Sequence, residues 1–124
     1  MTTNQFRRLA LAMTDASESA HMNHPDFRAN NRIFATLAPD GKRGMVKLTP
    51  EQQAQFISAH PGVFEPAAGA WGRGGSTMVI LAAADQETIG EAMTQAWNLT
   101  TQVASVGRGS VASGASNEQS EGRA

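Results

Sequence analysis

The sequence contains no cysteine, which excludes disulfides, thiolate-bound zinc and a cysteine nucleophile in one step. No apolar run approaches membrane-spanning length, and no hydrophobic stretch follows Arg7 and Arg8 that would make the start a secretion signal. A cytoplasmic protein without a membrane partner is therefore expected. An excess of one charge is missing too. Ten Lys and Arg stand against eleven Asp and Glu, for a net charge of -1. A generic polybasic binder is thereby excluded, and any electrostatic function must come from where the charges sit. The chain also lacks a G-x-S-x-G elbow, paired carboxylates and any internal repeat. With no catalytic set recognised, neither an enzyme activity nor a cofactor is expected.

What is present fits one domain. A chain of 124 residues, 40% hydrophobic and 17% charged, can bury a single modest core and is not disordered as a whole. The domain is placed at residues 1–106, and the small, polar, glycine-rich remainder at 107–124 is expected to be a disordered tail. A monomer is the default. Charge is unevenly spread: Arg28, Arg32, Lys42, Arg43, Lys47 and Arg73 face only Asp40, Glu51 and Glu65 in the middle of the chain. From Asp85 onward the acids dominate.

The central stretch PDFRANNRIFATLAPDGKRGMVKL reads as two consecutive hairpins. Asn30-Asn31 tolerates positive φ, and Pro39-Asp40-Gly41 is a turn with a stereochemical cause. The register of the first hairpin stays open. A two-residue turn pairs Phe27 with Phe34 and Arg28 with Ile33, whereas a three-residue loop puts Phe27, Ala29, Ile33, Ala35 and Leu37 on one face. A slip of one residue swaps the faces.

Around the hairpins, Thr3 is expected to cap a first helix with Phe6, Leu9, Ala10 and Met13 on one stripe. Ser17 to Met22 reads as an edge strand, and Asn23-His24-Pro25 as a turn. Thr49-Pro50-Glu51-Gln52 has the cap, the N1 proline and the capping-box glutamine of a helix start. This helix carries Phe56 and Ile57 inward and stops at Pro61-Gly62. Val63 to Gly75 reads as irregular, and Ser76 to Leu81 as a central strand. Asp85 caps a last helix whose Ile89, Ala92, Met93, Ala96, Trp97 and Thr100 form a stripe suited to lying across a sheet.

Three constellations invite chemistry. GAWGRGGS lacks the Lys-Ser/Thr ending of a phosphate loop and leads into a strand, so it reads as a plain loop; Trp71 is expected to pack in the core, the alternative being a stacking surface for a base. His21, His24 and Asp26 offer metal-binding groups, but they span a turn and fall short of the ligand set zinc normally takes. The basic set Arg28, Arg32, Lys42, Arg43, Lys47 and Arg73 has both number and clustering. Such residues also keep edge strands soluble. As a functional set it predicts a continuous positive surface made by both hairpin tips, with DNA as the expected partner through phosphate contacts. The alternative is a protein- or small-ligand-binding adaptor using the sheet face and the Trp71 loop.

FRANNRIFATL, GMVKLTPEQQAQF, HPGVFEPAAGAWGRGGSTMVIL and EAMTQAW resemble the MmcQ/YjbR family of small bacterial proteins, in order and spacing, from Phe6 to Trp97. The resemblance implies an α+β fold like that of CyaY and frataxin: one antiparallel β-sheet backed by N- and C-terminal helices, with a short helix inserted between strands. It also implies DNA binding by a double-wing arrangement, and supplies no catalytic set. Arg28, Arg32 and Lys47 fall within the matching motifs, whereas Lys42 and Arg43 fall in a loop where members differ. Asn30-Asn31 stands where relatives often have Gly-Gly, and Thr14-Asp15-Ala16 replaces a Leu-Pro-Gly-like turn. Frataxin-type iron binding does not carry over, because the first helix has Arg7 and Arg8 and no acid before Asp15.

Overall fold

A computed structural model describes residues 1–21 and 24–102, for His21 and Gln102 the backbone alone. The expected tail at 107–124 lies outside the described residues. Helix α1 (Thr3–Leu11) precedes strands β1 (Ser17–His21), β2 (His24–Ala29), β3 (Arg32–Leu37) and β4 (Arg43–Lys47). Then come α2 (Pro50–Ala59), β5 (Phe64–Pro66), α3 (Gly69–Arg73), β6 (Ser76–Ile80) and α4 (Gln86–Gln102). The fold is α+β: one antiparallel sheet of order β1-β2-β3-β4-β6-β5, with helices at both ends of the chain and a helix inserted between strands. Two elements, β5 and α3, occupy the stretch that reads as irregular in the sequence.

Local chemistry explains the helix starts. Thr2 caps α1, one residue earlier than expected, and closes a capping box with Gln5. Thr49 caps α2: its Oγ1 accepts from the Gln52 N–H at 3.1 Å, while Gln52 Oε1 accepts from the Thr49 N–H at 3.0 Å. Replacing Thr49 by Ala is expected to cost about 1 kcal/mol. Urea unfolding should show a lower midpoint with an unchanged slope. Asp85 caps α4, accepting from the Thr88 N–H at 2.8 Å and from the Thr88 hydroxyl at 3.1 Å. The Thr88 N–H is the main reason the Asp85 carboxyl titrates below its ordinary value.

Residues paired across an antiparallel ladder share a face. Phe27, Ala35, Val46 and Thr77 form one row, and Leu37, Gly44, Val79 and Phe64 the next. Ile89, Ala92, Met93 and Ala96 of α4, with Phe6 and Ala10 of α1, join these strand residues in one buried cluster. The close approach of α1 depends on a missing side chain. A Cβ at Gly44 would lie 2.6 Å from the Phe6 ring.

The first hairpin satisfies both of its conflicting sequence signals. Asn30 and Asn31 adopt φ of 53° and 64°, closing a two-residue turn with Ala29 opposite Arg32 and Arg28 opposite Ile33. Between Arg28 and Phe27 the register then shifts, so that Phe27 pairs with Ala35 and Asp26 with Thr36. Phe34 is the extra residue of a β-bulge. Turn chemistry holds next to the turn, and face alternation holds beyond it.

Candidate nucleic-acid interface

The bulge at Phe34 opens one end of the sheet. The β3–β4 ladder runs from Leu37–Gly44 to Ala35–Val46 and does not reach Ile33 and Leu48. β4 instead stays with β6, where Lys47 pairs with Ser76 and the Leu48 N–H donates to the Gly75 carbonyl at 3.2 Å. The strands therefore part, and Ala96, Leu99 and Thr100 near the end of α4 close the wedge. The result is a groove of about 420 Å³ whose walls also include Arg28, Asn31, Arg32, Ile33, Lys47 and Leu48. The Asn30 side-chain amide donates to Thr100 Oγ1 at 3.2 Å and ties the turn to α4.

The three cations of this groove are not equivalent. Arg28 donates through Nε to Asp26 at 2.9 Å, and Asp26 is only 5% exposed. That hydrogen bond first, and the carboxylate's charge second, push the Arg28 pKa upward. Arg28 is thus fixed in place with part of its field cancelled. Arg32 is exposed and Lys47 half-buried. Among the described residues no carboxylate lies within ion-pair distance of either. Lys47 Nζ stands 5.4 Å from the centroid of the Trp71 ring.

Trp71 does not pack in the core, as its sequence context suggests. It is 69% exposed. Its position follows from α3 being pressed onto neighbouring chain. A Cβ at Gly72 would sit 1.8 Å from the Ala67 carbonyl oxygen, and the Gln53 side-chain amide, reaching over from α2, donates to the Gly72 and Ser76 carbonyls at 3.0 and 2.9 Å. Arg73 ends the same helix, close in sequence to Ser76, the residue paired with Lys47. Four of the six basic residues therefore belong to one end of the sheet.

Lys42 and Arg43 belong to the other. β3 carries the chain from the Asn30-Asn31 turn to the Pro39–Lys42 turn, and six residues of strand span about 20 Å. At that far tip Asp40 accepts from the Lys42 N–H at 2.8 Å and pairs with Arg43 at 3.3 Å. The Lys42 N–H is the largest cause, and the Arg43 charge a further one, of an Asp40 carboxyl held below its ordinary value. The continuous positive surface expected from both tips is thus replaced by two separate ends, because consecutive antiparallel turns alternate sides.

The sequence model of the YjbR family matches residues 11–99. The chain belongs to the YjbR family. Among solved structures it is similar to a Deinococcus radiodurans protein with a DUF419 domain, at 20% identity and a TM-score of 0.70, covering 83% of this chain and 80% of that one. It is also similar to a structural-genomics target from Pseudomonas syringae, at 20% identity and a TM-score of 0.64, covering 81% of this chain and 99% of that one. These likenesses establish the fold alone. No curated protein matches the chain significantly.

In this YjbR-family chain the metal reading of His21, His24 and Asp26 loses its carboxylate, which Arg28 occupies. Among the described residues no three His, Asp or Glu side chains come together to hold an ion. No helix of the described residues is long and apolar enough to cross a membrane. Sequence reasoning missed Asn31, Thr100 and Gln53 as parts of this end of the molecule. For Trp71 the exposed ring matches the alternative of a stacking surface and not the preferred core packing.

Proposed function

We propose that this protein binds DNA through its phosphates at the splayed end of the sheet, with Arg32 and Lys47 as the principal contacts and Arg28 as a fixed third. Arg73 adds charge at the same end. The observation that supports this most is the convergence of three cations on one groove in a chain of net charge -1. Unpaired cations retain their full field for an incoming anion, and ordering them against phosphates releases counterions. The walls offer no acid–base pair or nucleophile–base pair, so a binding role accounts for the groove better than catalysis does.

Binding of a labelled DNA is expected to weaken with salt, log K falling against log salt with a slope of about -2 to -3 for three phosphate contacts. Arg32→Ala with Lys47→Ala should reduce that slope by about 2, while Lys42→Ala with Arg43→Ala leaves it nearly unchanged. A flat salt response, or no complex with any DNA at low salt, would remove the proposal.

The exposure of Trp71 favours one second reading, a protein-binding adaptor in which this ring is the anchor. Met45, Met78 and Ile80, half-buried on the face opposite the core, would extend such a contact. Binding that survives loss of Arg32 and Lys47 but not of Trp71, with no nucleic acid present, would select it.

A further inference from the structure

We infer that the nucleic acid taken at this end is unpaired, with a base stacked on Trp71 while its neighbouring phosphates lie along Arg32 and Lys47. This rests on the phosphate-binding reading above and specifies the form of the ligand. Two large apolar side chains are exposed among the described residues, Leu11 and Trp71, and Trp71 is by far the more open at 69%. Its backbone is held from both sides: Gln53 grips the Gly72 carbonyl, and the Gly74 N–H donates back to the Ala70 and Trp71 carbonyls at 3.0 and 3.2 Å. An exposed ring on a fixed backbone is a surface ready to be covered, with little ordering cost left to meet.

Lys47 joins the ring to the groove. It lines the 420 Å³ groove with Arg28 and Arg32, and it also borders a recess of about 220 Å³ beside Trp71, walled by Ala70, Gly74 and Ser76. The small side chains of that recess leave room for a flat heterocycle against the indole. The Lys47 ammonium lies over the ring, 5.4 Å from its centroid, and in swinging aside for a stacked base it comes to the phosphate attached to that base. An aromatic platform continuous with a cationic channel is how single strands are held without sequence preference, because every base has a π-face. In a duplex those faces are already stacked inside the helix, and Trp71 would have nothing flat to meet.

The test compares a short oligothymidylate, the same strand annealed to its complement, and thymidine monophosphate, using the full chain at low salt. The single strand is expected to bind more tightly than the duplex and to quench tryptophan emission. Trp71→Ala should weaken single-strand binding by about 5- to 100-fold and abolish most of the quenching, and Trp71→Phe should restore part of the affinity. Because Trp71 is exposed, both variants are expected to melt like the parent protein. Trp97 donates its indole N–H to the Thr14 carbonyl at 2.9 Å and gives the residual signal. Equal affinity for single strand and duplex, with Trp71→Ala harmless, would overturn the unpaired-base inference and leave phosphate binding standing. Binding of the mononucleotide as tight as that of the oligonucleotide would also overturn it. Failure of every nucleic acid to bind would remove both.

Discussion

Gly75→Ala is expected to destabilise the protein by about 3 kcal/mol or more, the sum of left-handed backbone strain and a steric clash. Gly75 has φ of +111°, and a Cβ there would lie 1.9 Å from the Leu48 carbonyl oxygen. That oxygen belongs to backbone at the end of β4 and cannot swing away as a side-chain tip could. Moving it would also strain the bond from the Leu48 N–H to the Gly75 carbonyl. Gly41 and Gly62 supply the comparison: their φ values are +71° and +84°, with nothing within 4 Å of an added Cβ. Alanine at either should cost about 1–2 kcal/mol, from conformation alone. Thermal unfolding would show Gly75→Ala melting roughly 12 °C or more below the parent, since each kcal/mol shifts a domain of this size by about 4–8 °C. A shift no larger than that of Gly62→Ala would mean that the two chain segments are not in contact as described. The same contact sets Lys47 beside the start of β6, so the substitution should disturb the candidate site as well.

Phe34→Ala is expected to cost about 4 kcal/mol, the usual range for emptying a fully buried aromatic site being 3–5. Phe34 has no exposed surface and sits in the main cluster beneath α4. As the extra residue of the bulge it follows Ile33 and precedes Ala35, and both Phe34 and Ala35 are fully buried. The large side chain fills space that Ala35 cannot, so truncation leaves a cavity with no neighbour free to close it. Phe56 of α2 is half-buried, and its ring lies 5.3 Å from that of Phe64. Phe56→Ala should therefore lose clearly less. Guanidinium unfolding of the two variants gives the comparison. A loss at Phe34 of about 1 kcal/mol or below would contradict its place in the core.

These two positions mark where reading along the chain stops being sufficient. The starts of α2 and α4 were legible because a cap is decided within four residues: Thr49 and Gln52 complete each other whatever the rest of the molecule does. The stripe of α4 was legible for a similar reason, since period 3.6 alone aligns Ile89, Ala92, Met93 and Ala96. The register of the β2–β3 hairpin was not, because two valid local signals disagreed. Burial of Phe27 with Ala35, and of Phe34 beside them, decides where the extra residue goes. Between core packing and an exposed face for Trp71 the sequence cannot decide, since its surroundings do not reveal that Gln53 and Ala67 hold α3 against the start of β6.

The candidate site divides along the same line. The residue types were visible in the chain, and Arg28, Arg32 and Lys47 stand out as cations on strand ends. Their meeting at one groove depends on β3 parting from β4 after Phe34 and on α4 closing the gap. Equally, the separation of Lys42 and Arg43 follows from a strand that must cross the sheet before the next turn.

By itself the sequence determined the longer helices and the hairpin strands, the caps of α2 and α4, the Asn30-Asn31 turn and the stock of charges, because each depends on neighbours a few residues away. The tertiary structure alone decided which charges share a groove and that Trp71 faces solvent. Those outcomes depend on pairing between distant strands, where one inserted residue redirects everything beyond it.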